Sequence, residues 1–567
     1  MDAITRAIRN FALQNAIKYD GTANPKSIMG KILGTIPELR QDVPKTRAMI
    51  EDIVARVNEL SVEDQRKELE EQAPEFLDQP KAKKREGPKE LEDTKGKVVM
   101  RFAPSPSGPM HIGHALTGGL TAYYVDRYKG EFILRIEDTN SDNIYAPAYE
   151  MIPRDADWIF GNVSEVLIQS DRLEVYYRYA ETLISGENAY ICTCDPERFR
   201  ELISAKTPCP CRGSGPEEHM RRWKKMFDKD SGYAQGEAVM RFRSEITHKN
   251  PAMRDFPLAR INDSEHPRTG VKYRVWPLMN LSVTVDDIES GVTHIIRAKE
   301  HADNAKRQKL MYDALGKKEP HTYFTGRYKF NGLEISCSKT KKRIDEGQFT
   351  GWDDIRLAFL EPLRRRGYQP QAFIKYTTVT GLSKVDKVVD ADEFFKGINA
   401  FNKEIIDPVS YRFFFVADPV HVDIAGMPEK QVELDLHPDT KKGGRLLRVS
   451  PSMLLAKQDL DRATEGKMHR LMDCANIERK GDSLVFSSES LEAFRANKGV
   501  IMHWLCTDDD LCDVELRMPD NTIRSGKGEA TIRKLQVGDV VQFERVGFCR
   551  LDQIKEDGTY HFWFAHA

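Results

Sequence analysis

The chain has 567 residues, too many for one hydrophobic core and enough for about four domains. Its 86 Lys and Arg against 88 Asp and Glu leave a net charge of −2, and 31% of residues are charged. No apolar run is long enough to cross a bilayer, Met1–Arg6 lacks the apolar core of a signal peptide, and nine cysteines in a chain this long are no disulfide framework. These features predict a cytoplasmic chain with reduced thiols, and the balanced charge leaves nucleic acid open as a partner.

Residues 1–97 read as a helical N-terminal appendage followed by a charged linker. Met49, Ile50, Ile53, Val54, Val57 and Leu60 fall on one helical face. The stretches Tyr19–Lys26 and Gly30–Gly34 read as a basic, glycine-punctuated loop, and Pro80–Lys97 as an apolar-poor linker. In 98–190, Val98–Phe102 predicts a buried strand, Ala115–Tyr128 a helix and Glu131–Thr139 a second strand ending in carboxylates. This alternation implies a parallel sheet with ligands at the C-terminal strand ends. Residues 191–290 break the pattern with cysteine pairs, as an insertion would. The alternation resumes over 291–345 with Thr293–Arg297. Residues 346–398 read as helical and basic, including Arg364–Arg366. Residues 399–567 carry short β-rich runs with turns at Pro519–Asn521 and Asp557–Gly558, the pattern of antiparallel barrels.

The most informative stretch is His111-Ile112-Gly113-His114, preceded by Arg101-Phe102-Ala103-Pro104-Ser105-Pro106-Ser107-Gly108-Pro109. Strand, tight turn and helix start would set both imidazoles and the Gly113 amide at a helix N-terminus, where bare N–H groups attract phosphate. Taken alone, HxxH is equally a surface pair or a metal half-site. A second stretch, Glu334–Arg343, reads as a basic loop; Lys339 beside small hydroxyl residues suits transient contact with a leaving polyphosphate, as a solvated turn also would. Cys192-x-Cys194 and Cys209-x-Cys211 could close a tetrahedral zinc site or be four independent thiols.

Together these stretches resemble a class I aminoacyl-tRNA synthetase: a HIGH motif, the Arg-x-Ala-Pro-Ser-Pro lead-in, and a degenerate KMSKS loop at Ser336–Thr340, with Ser336 where the first lysine usually sits. Arg135–Thr139, Gln169–Arg172 and Gly291–Arg297 narrow the resemblance to the glutamyl subfamily. Trp352–Arg356 and the β-rich C-terminus narrow it to the archaeal type, whose end is similar to that of glutaminyl enzymes. The resemblance covers essentially the whole chain. It implies a multidomain fold: an α/β Rossmann catalytic domain split by an acceptor-binding insertion, a helical stem-contact domain, and C-terminal antiparallel β-barrels that read the anticodon.

It also implies residue roles. Arg101, Ala103, Ser105, Glu137 and Arg297 would surround the amino acid, with Glu137 on the ammonium and Arg101 on a carboxylate. Pro109, His111, Gly113, His114, Ser338 and Lys339 would bind ATP, which arrives with Mg²⁺; His111, His114 and Lys339 would stabilise the phosphate charge. Cys192, Cys194, Cys209 and Cys211 would hold a structural Zn²⁺. Arg364–Arg366 fits a contact with the tRNA inner corner, and the loop around Lys26 and Lys31 resembles a tRNA-binding appendage. The partners implied are L-glutamate, ATP and tRNA(Glu), with tRNA(Gln) left open, and the chain is expected to be a monomer away from membranes.

Arg297 argues against a glutaminyl-tRNA synthetase, which carries an uncharged residue there, and the intact histidines and Lys339 argue against a silent tRNA-binding relative. One departure stands out: many family members place a tyrosine in a pocket strand before the Asp286-Asp287 pair, and this chain has Met279 there, with Val283 four positions later.

Overall fold

The computed structural model describes residues 3–18, 21–76, 87–441 and 443–567. Contacts divide the chain into two units, 1–86 and 87–567. Tyr19, Asp20 and residues 80–86 of the expected linker lie outside the described residues.

The first unit holds helices α1 (Ala3–Lys18), α2 (Pro25–Thr35), α3 (Val43–Asn58) and α4 (Val62–Gln72). Ile50, Ile53, Val54 and Val57 of α3 bury one face against Ile8, Ala12, Leu13, Ile28 and Ile32. The expected basic loop over 30–34 is instead part of α2. Pro25 at its first turn and the Asn24 side chain, which accepts the Lys26 N–H at 2.9 Å, start this helix, and burial of Ile28 and Ile32 outweighs the helix cost of Gly30 and Gly34.

The second unit is built on a five-stranded, all-parallel sheet. Its strands are β1 (Val99–Phe102), β2 (Glu131–Ile136), β3 (Glu165–Ile168), β8 (His294–Ala298) and β9 (His321–Thr325), in the order β3-β2-β1-β8-β9. That is a doubly wound order, with its switch between β1 and β8. Helices α5 (Ile112–Tyr128), α6 (Ala148–Phe160) and α7 (Leu173–Ser185) follow the first three strands. Met100, Ile112, Leu116, Leu134, Ile152 and Ile296 share one core.

Between α7 and β8 an antiparallel sheet, β4 (Ala189–Cys192), β5 (Val239–Phe242), β6 (Pro257–Ile261) and β7 (Val275–Pro277), carries α8 (Pro196–Ser204) and α9 (Pro216–Phe227). The chain then forms α10 (Met279–Glu289). The resemblance places this segment, with Met279 and Val283, on a pocket strand. It is helical because residues 280–287 are buried on every side, where a helix satisfies the backbone internally; the Thr284 hydroxyl is satisfied on the Asn280 carbonyl at 2.7 Å. Met279 therefore opens a helix and is 38% exposed, while Val283 is buried.

Helix α11 (Ala302–Ala314) joins β8 to β9. Beyond β9 come β10 (Tyr328–Asn331), α12 (Cys337–Asp345), α13 (Leu360–Arg365), α14 (Pro370–Thr380), β11 (Lys387–Asp390) and α15 (Ala391–Ile406). The expected boundaries at 190–191 and 398–399 fall inside β4 and α15. Residues 87–97 are no free linker either. The Tyr128 hydroxyl accepts the Leu91 N–H at 3.1 Å, the Tyr323 hydroxyl accepts the Glu92 N–H at 2.8 Å, and His294 Nε2 lies 2.7 Å from the Glu92 carbonyl.

Residues 411–566 form two seven-stranded sheets and a two-stranded antiparallel one, Lys430–Asp435 with Gly444–Val449. The edge strands of the first, Tyr411–Phe413 and Phe415–Ala417, are separated by one residue, so this sheet must curl until its edges meet. The second repeats the device: its edges, Lys498–Met502 and Trp504–Cys506, flank His503. His503 stacks on Phe414 with ring centres 4.7 Å apart. The two seven-stranded sheets are mixed, not purely antiparallel: each contains two parallel pairings, which period-2 patterning cannot reveal. Among the described residues no helix is long and apolar enough to cross a membrane.

Candidate active site

The C-terminal ends of β1, β2 and β8 collect the charged residues. Arg101 on β1 and Arg297 on β8 lie on either side of the switch point and are 6% and 7% exposed. Glu137 follows β2, and its N–H bonds to the Pro104 carbonyl at 3.0 Å, which sets it against the turn carrying Ala103 and Ser105. The structure thus brings Arg297 within electrostatic reach of Arg101 and Glu137 at the C-terminal strand ends, with Ala103 and Ser105 in the adjoining turn.

Behind them lies a buried ion network. Asp287 on α10 accepts from Arg135 Nη1 at 2.6 Å and from Arg101 Nε at 3.3 Å. Burial pushes the Asp287 carboxyl up, but the two guanidiniums outweigh it and hold it below the usual carboxylate range. Arg135 also donates to Glu137 at 3.1 Å. Asp286 accepts from Gln169, Arg172 and Tyr176 at 2.8–3.0 Å. Arg297 is different. Its one hydrogen bond among the described residues runs from Nη1 to Gln308 Oε1, 2.9 Å away, and no carboxylate pairs with it. Burial, and then the Arg101 charge, push Arg297 down to about 10, so it stays cationic and underpaired at neutral pH.

The HIGH residues form the N-terminus of α5. His111 is the N-cap: its Nδ1 accepts the Gly113 N–H at 3.1 Å, while His114 Nδ1 accepts the His111 N–H at 3.3 Å. The rings stack with centres 3.8 Å apart. With both Nδ1 atoms accepting, each neutral ring carries its proton on Nε2. Burial holds His111 well below its ordinary value and lowers His114 to about 4, so the pair presents two N–H donors and not two cations. A Cβ on Gly113 would lie 2.9 Å from the His111 ring, which is why glycine stands there.

Two backbone bonds, Ile112 N–H to Ala358 at 3.2 Å and Leu360 N–H to Met110 at 3.0 Å, clamp the turn. Asp155 on α6 accepts the Met110 N–H at 3.0 Å.

The stretch 334–343 is not a loop beyond Ser336. Helix α12 starts at Cys337, anchored by buried Cys337 and Thr340 and by the Lys341–Asp345 pair at 2.9 Å. Its N-terminus packs against the HIGH turn: Cys337 Sγ lies 3.8 Å from the Pro109 carbonyl, and a Cβ on Gly108 would meet Cys337 at 3.0 Å. Ser338 and Lys339 are exposed, and the Lys339 ammonium has no partner among the described residues.

In the insertion, Cys192 Sγ lies 3.8 Å from Cys209 and Cys194 Sγ 3.7 Å from Cys211, with all four sulfurs within 4.8 Å of one another. Cys337, Cys474, Cys506, Cys512 and Cys549 are buried singly.

A family model described as the catalytic domain of class I tRNA synthetases (E and Q) matches residues 97–408. Two described as the anticodon-binding domain of the same synthetases match 410–492 and 501–552. The chain belongs to the E and Q class I tRNA synthetases. It is 40% identical to the glutamate–tRNA ligase of Methanobrevibacter smithii over 100% of both chains. It is 42% identical to that of Methanocaldococcus jannaschii over 96% of this chain and 97% of the other, and likewise to that of Pyrococcus furiosus. Among solved structures, a glutamate tRNA ligase from Elizabethkingia meningosepticum is similar over 56% of this chain and 70% of its own, at 21% identity and a TM-score of 0.39.

Sequence reasoning missed Arg135, Asp286 and Asp287 as parts of this synthetase site. The signal was available: an arginine in an apolar strand needs a buried anion, and Asp286-Asp287 follows the run Leu281–Val285 of small and apolar residues. Of the Arg364–Arg366 triplet, Arg364 pairs locally with Glu361 at 2.8 Å and keeps its side chain 40% exposed, while the other two are engaged across the fold. Arg365 pairs with Asp552 at 2.6 Å, and Arg366, 7% exposed, donates to the Phe564 and Ala565 carbonyls at 3.1 and 2.8 Å.

Proposed function

We propose that this chain is a glutamate–tRNA ligase that activates L-glutamate with ATP and esterifies tRNA(Glu). The observation that carries the choice of amino acid is the charge count at the site. Four guanidiniums (Arg101, Arg135, Arg172, Arg297) face three carboxylates (Asp286, Asp287, Glu137), and Arg297 is the one left unmatched. Free glutamate carries net charge −1 and completes the balance; glutamine carries none and leaves a buried cation underpaired, a handicap of several kcal/mol. In this reading Glu137 takes the ammonium and Arg101 and Arg297 the carboxylates, with Ala103 and Ser105 lining the approach.

The α-carboxylate oxygen attacks the α-phosphorus of MgATP in line, and the bond to the bridging oxygen breaks to release pyrophosphate. The Nε2–H groups of His111 and His114 donate to phosphate oxygens as charge builds, and the Gly113 amide and helix N-terminus add to the same field. Lys339, free at the surface of α12, offers its charge to the departing pyrophosphate, with Pro109 and Ser338 shaping the nucleotide site. A ribose hydroxyl of the terminal adenosine then attacks the acyl carbonyl and AMP leaves. Orientation supplies the rate, and no protein nucleophile is required.

A tetrahedral Zn²⁺ with Zn–S bonds of about 2.3 Å would set its sulfurs about 3.8 Å apart; the Cys192–Cys209 and Cys194–Cys211 spacings of 3.8 and 3.7 Å match this, and all four sulfurs lie within 4.8 Å of one another. Cys192, Cys194, Cys209 and Cys211 would hold it, tying β4 to the 209–211 turn of the acceptor-binding insertion. With four protein ligands such an ion would have no open position and would serve structure only. The barrels over 411–566 suit the anticodon, and the chain would work as a cytoplasmic monomer. ATP-dependent charging of tRNA(Glu) with labelled glutamate tests the reading; the same assay with tRNA(Gln) reads the acceptor range. Failure to charge tRNA(Glu) overturns it.

A further inference from the structure

Gln308 and Tyr312 stand four positions apart on α11, hence on one face, and each is 4% exposed. Gln308 Oε1 holds Arg297 Nη1 at 2.9 Å. Three polar atoms here have no hydrogen-bond partner among the described residues: Arg297 Nε, Gln308 Nε2 and the Tyr312 hydroxyl. Buried groups of this kind are nearly always satisfied, so three in one place mark a missing partner. All three can donate, and an unpartnered acceptor within electrostatic reach of Arg297 and Tyr312, Asp287 Oδ2, still leaves donors in excess, so the partner is an acceptor. The Tyr312 phenol lies within electrostatic reach of Arg297, Arg101, Arg135 and Asp287, at the site already described, and its burial raises it so that it remains a donor. The residue that holds Arg297 is also a neutral amide. A carboxylate at position 308 would neutralise Arg297 and remove its demand for an anion.

We propose that Gln308 and Tyr312 determine amino-acid specificity: Gln308 positions Arg297 without cancelling its charge, and the Tyr312 hydroxyl donates to the carboxylate that Arg297 receives. The proposal deepens the glutamate reading and rests on it.

The test is aminoacylation kinetics of the full chain carrying Gln308→Glu, a near-isosteric change, or Tyr312→Phe, with glutamate, glutamine and ATP varied in turn. For Gln308→Glu the KM for glutamate rises about tenfold, and for Tyr312→Phe about fivefold. The KM for ATP holds, saturating glutamate restores the wild-type kcat, and the preference for glutamate over glutamine narrows. A merely structural role would lower kcat or move both KM values together, and either result overturns the proposal, as does an unchanged KM for glutamate. A wild type that charges no glutamate fails the reading beneath it instead, and the proposal with it.

Discussion

The Asp155 carboxylate accepts the Met110 N–H at 3.0 Å, so a side chain on α6 fixes the backbone that delivers His111 to the site. Asp155 is 2% exposed, and burial raises it to about 6, above its ordinary 3.8, despite the Met110 bond. A folded value above the unfolded one means that stability is fully present below pH 3.8 and falls as pH rises through 6, by up to about 3 kcal/mol. Asp155→Asn keeps an acceptor for Met110 and removes the ionisation. We expect the variant to gain stability over the wild type between pH 5 and 8 in denaturant titrations; a pH-independent difference contradicts the account.

Burial keeps the two HIGH imidazoles neutral, so they act as donors. His114, lowered to about 4, keeps its neutral form above its unfolded value near 6.5 and loses it only as pH falls towards 4. The pH profile of kcat/KM for ATP should therefore run flat from pH 8 to below 6, with no inflection near 6.5 that disappears in His114→Asn. An inflection there would mean that the pair works as cations.

Much of this arrangement was legible in the sequence because it is local. The strand Val98–Phe102, the turn through Pro104, Pro106 and Gly108, and the helix after His111 are each written in neighbouring residues, and Arg101, Glu137 and Arg297 stand at strand ends, while their roles come from the family resemblance. The misreadings share one cause: partners far away in sequence. Glycines 30 and 34 suggested a loop until Ile28 and Ile32 found a core, and Ser336–Thr340 suggested one until Cys337 and Thr340 were buried. The Arg364–Arg366 run looked like an RNA face because nothing nearby announces that Asp552 and the Phe564 and Ala565 carbonyls will receive two of its guanidiniums. Arg135 and the Asp286-Asp287 pair, more than 150 residues apart in the chain, could not be joined without the fold.

The four clustered thiols make a simple prediction. The purified chain should carry one zinc by elemental analysis, and Cys192→Ser or Cys209→Ser should carry none and melt at lower temperature, while Cys337→Ser keeps the metal. Charging by the thiol variants should fall much less than with a catalytic loss, since the cluster has no open position. Metal-free wild type with an unchanged melt after chelator would remove zinc from the account.

The central claim is that a buried, unmatched guanidinium selects glutamate. Its most direct test is charging of tRNA(Glu) with labelled glutamate and, separately, glutamine, by the wild type and by Arg297→Ala. The account predicts that the wild type loads glutamate only, and that Arg297→Ala loses glutamate charging by at least a hundredfold in kcat/KM, a charged hydrogen bond and its buried counter-charge being worth about 3 kcal/mol or more. Glutamine loaded by the wild type, or glutamate loaded equally well without Arg297, would contradict it.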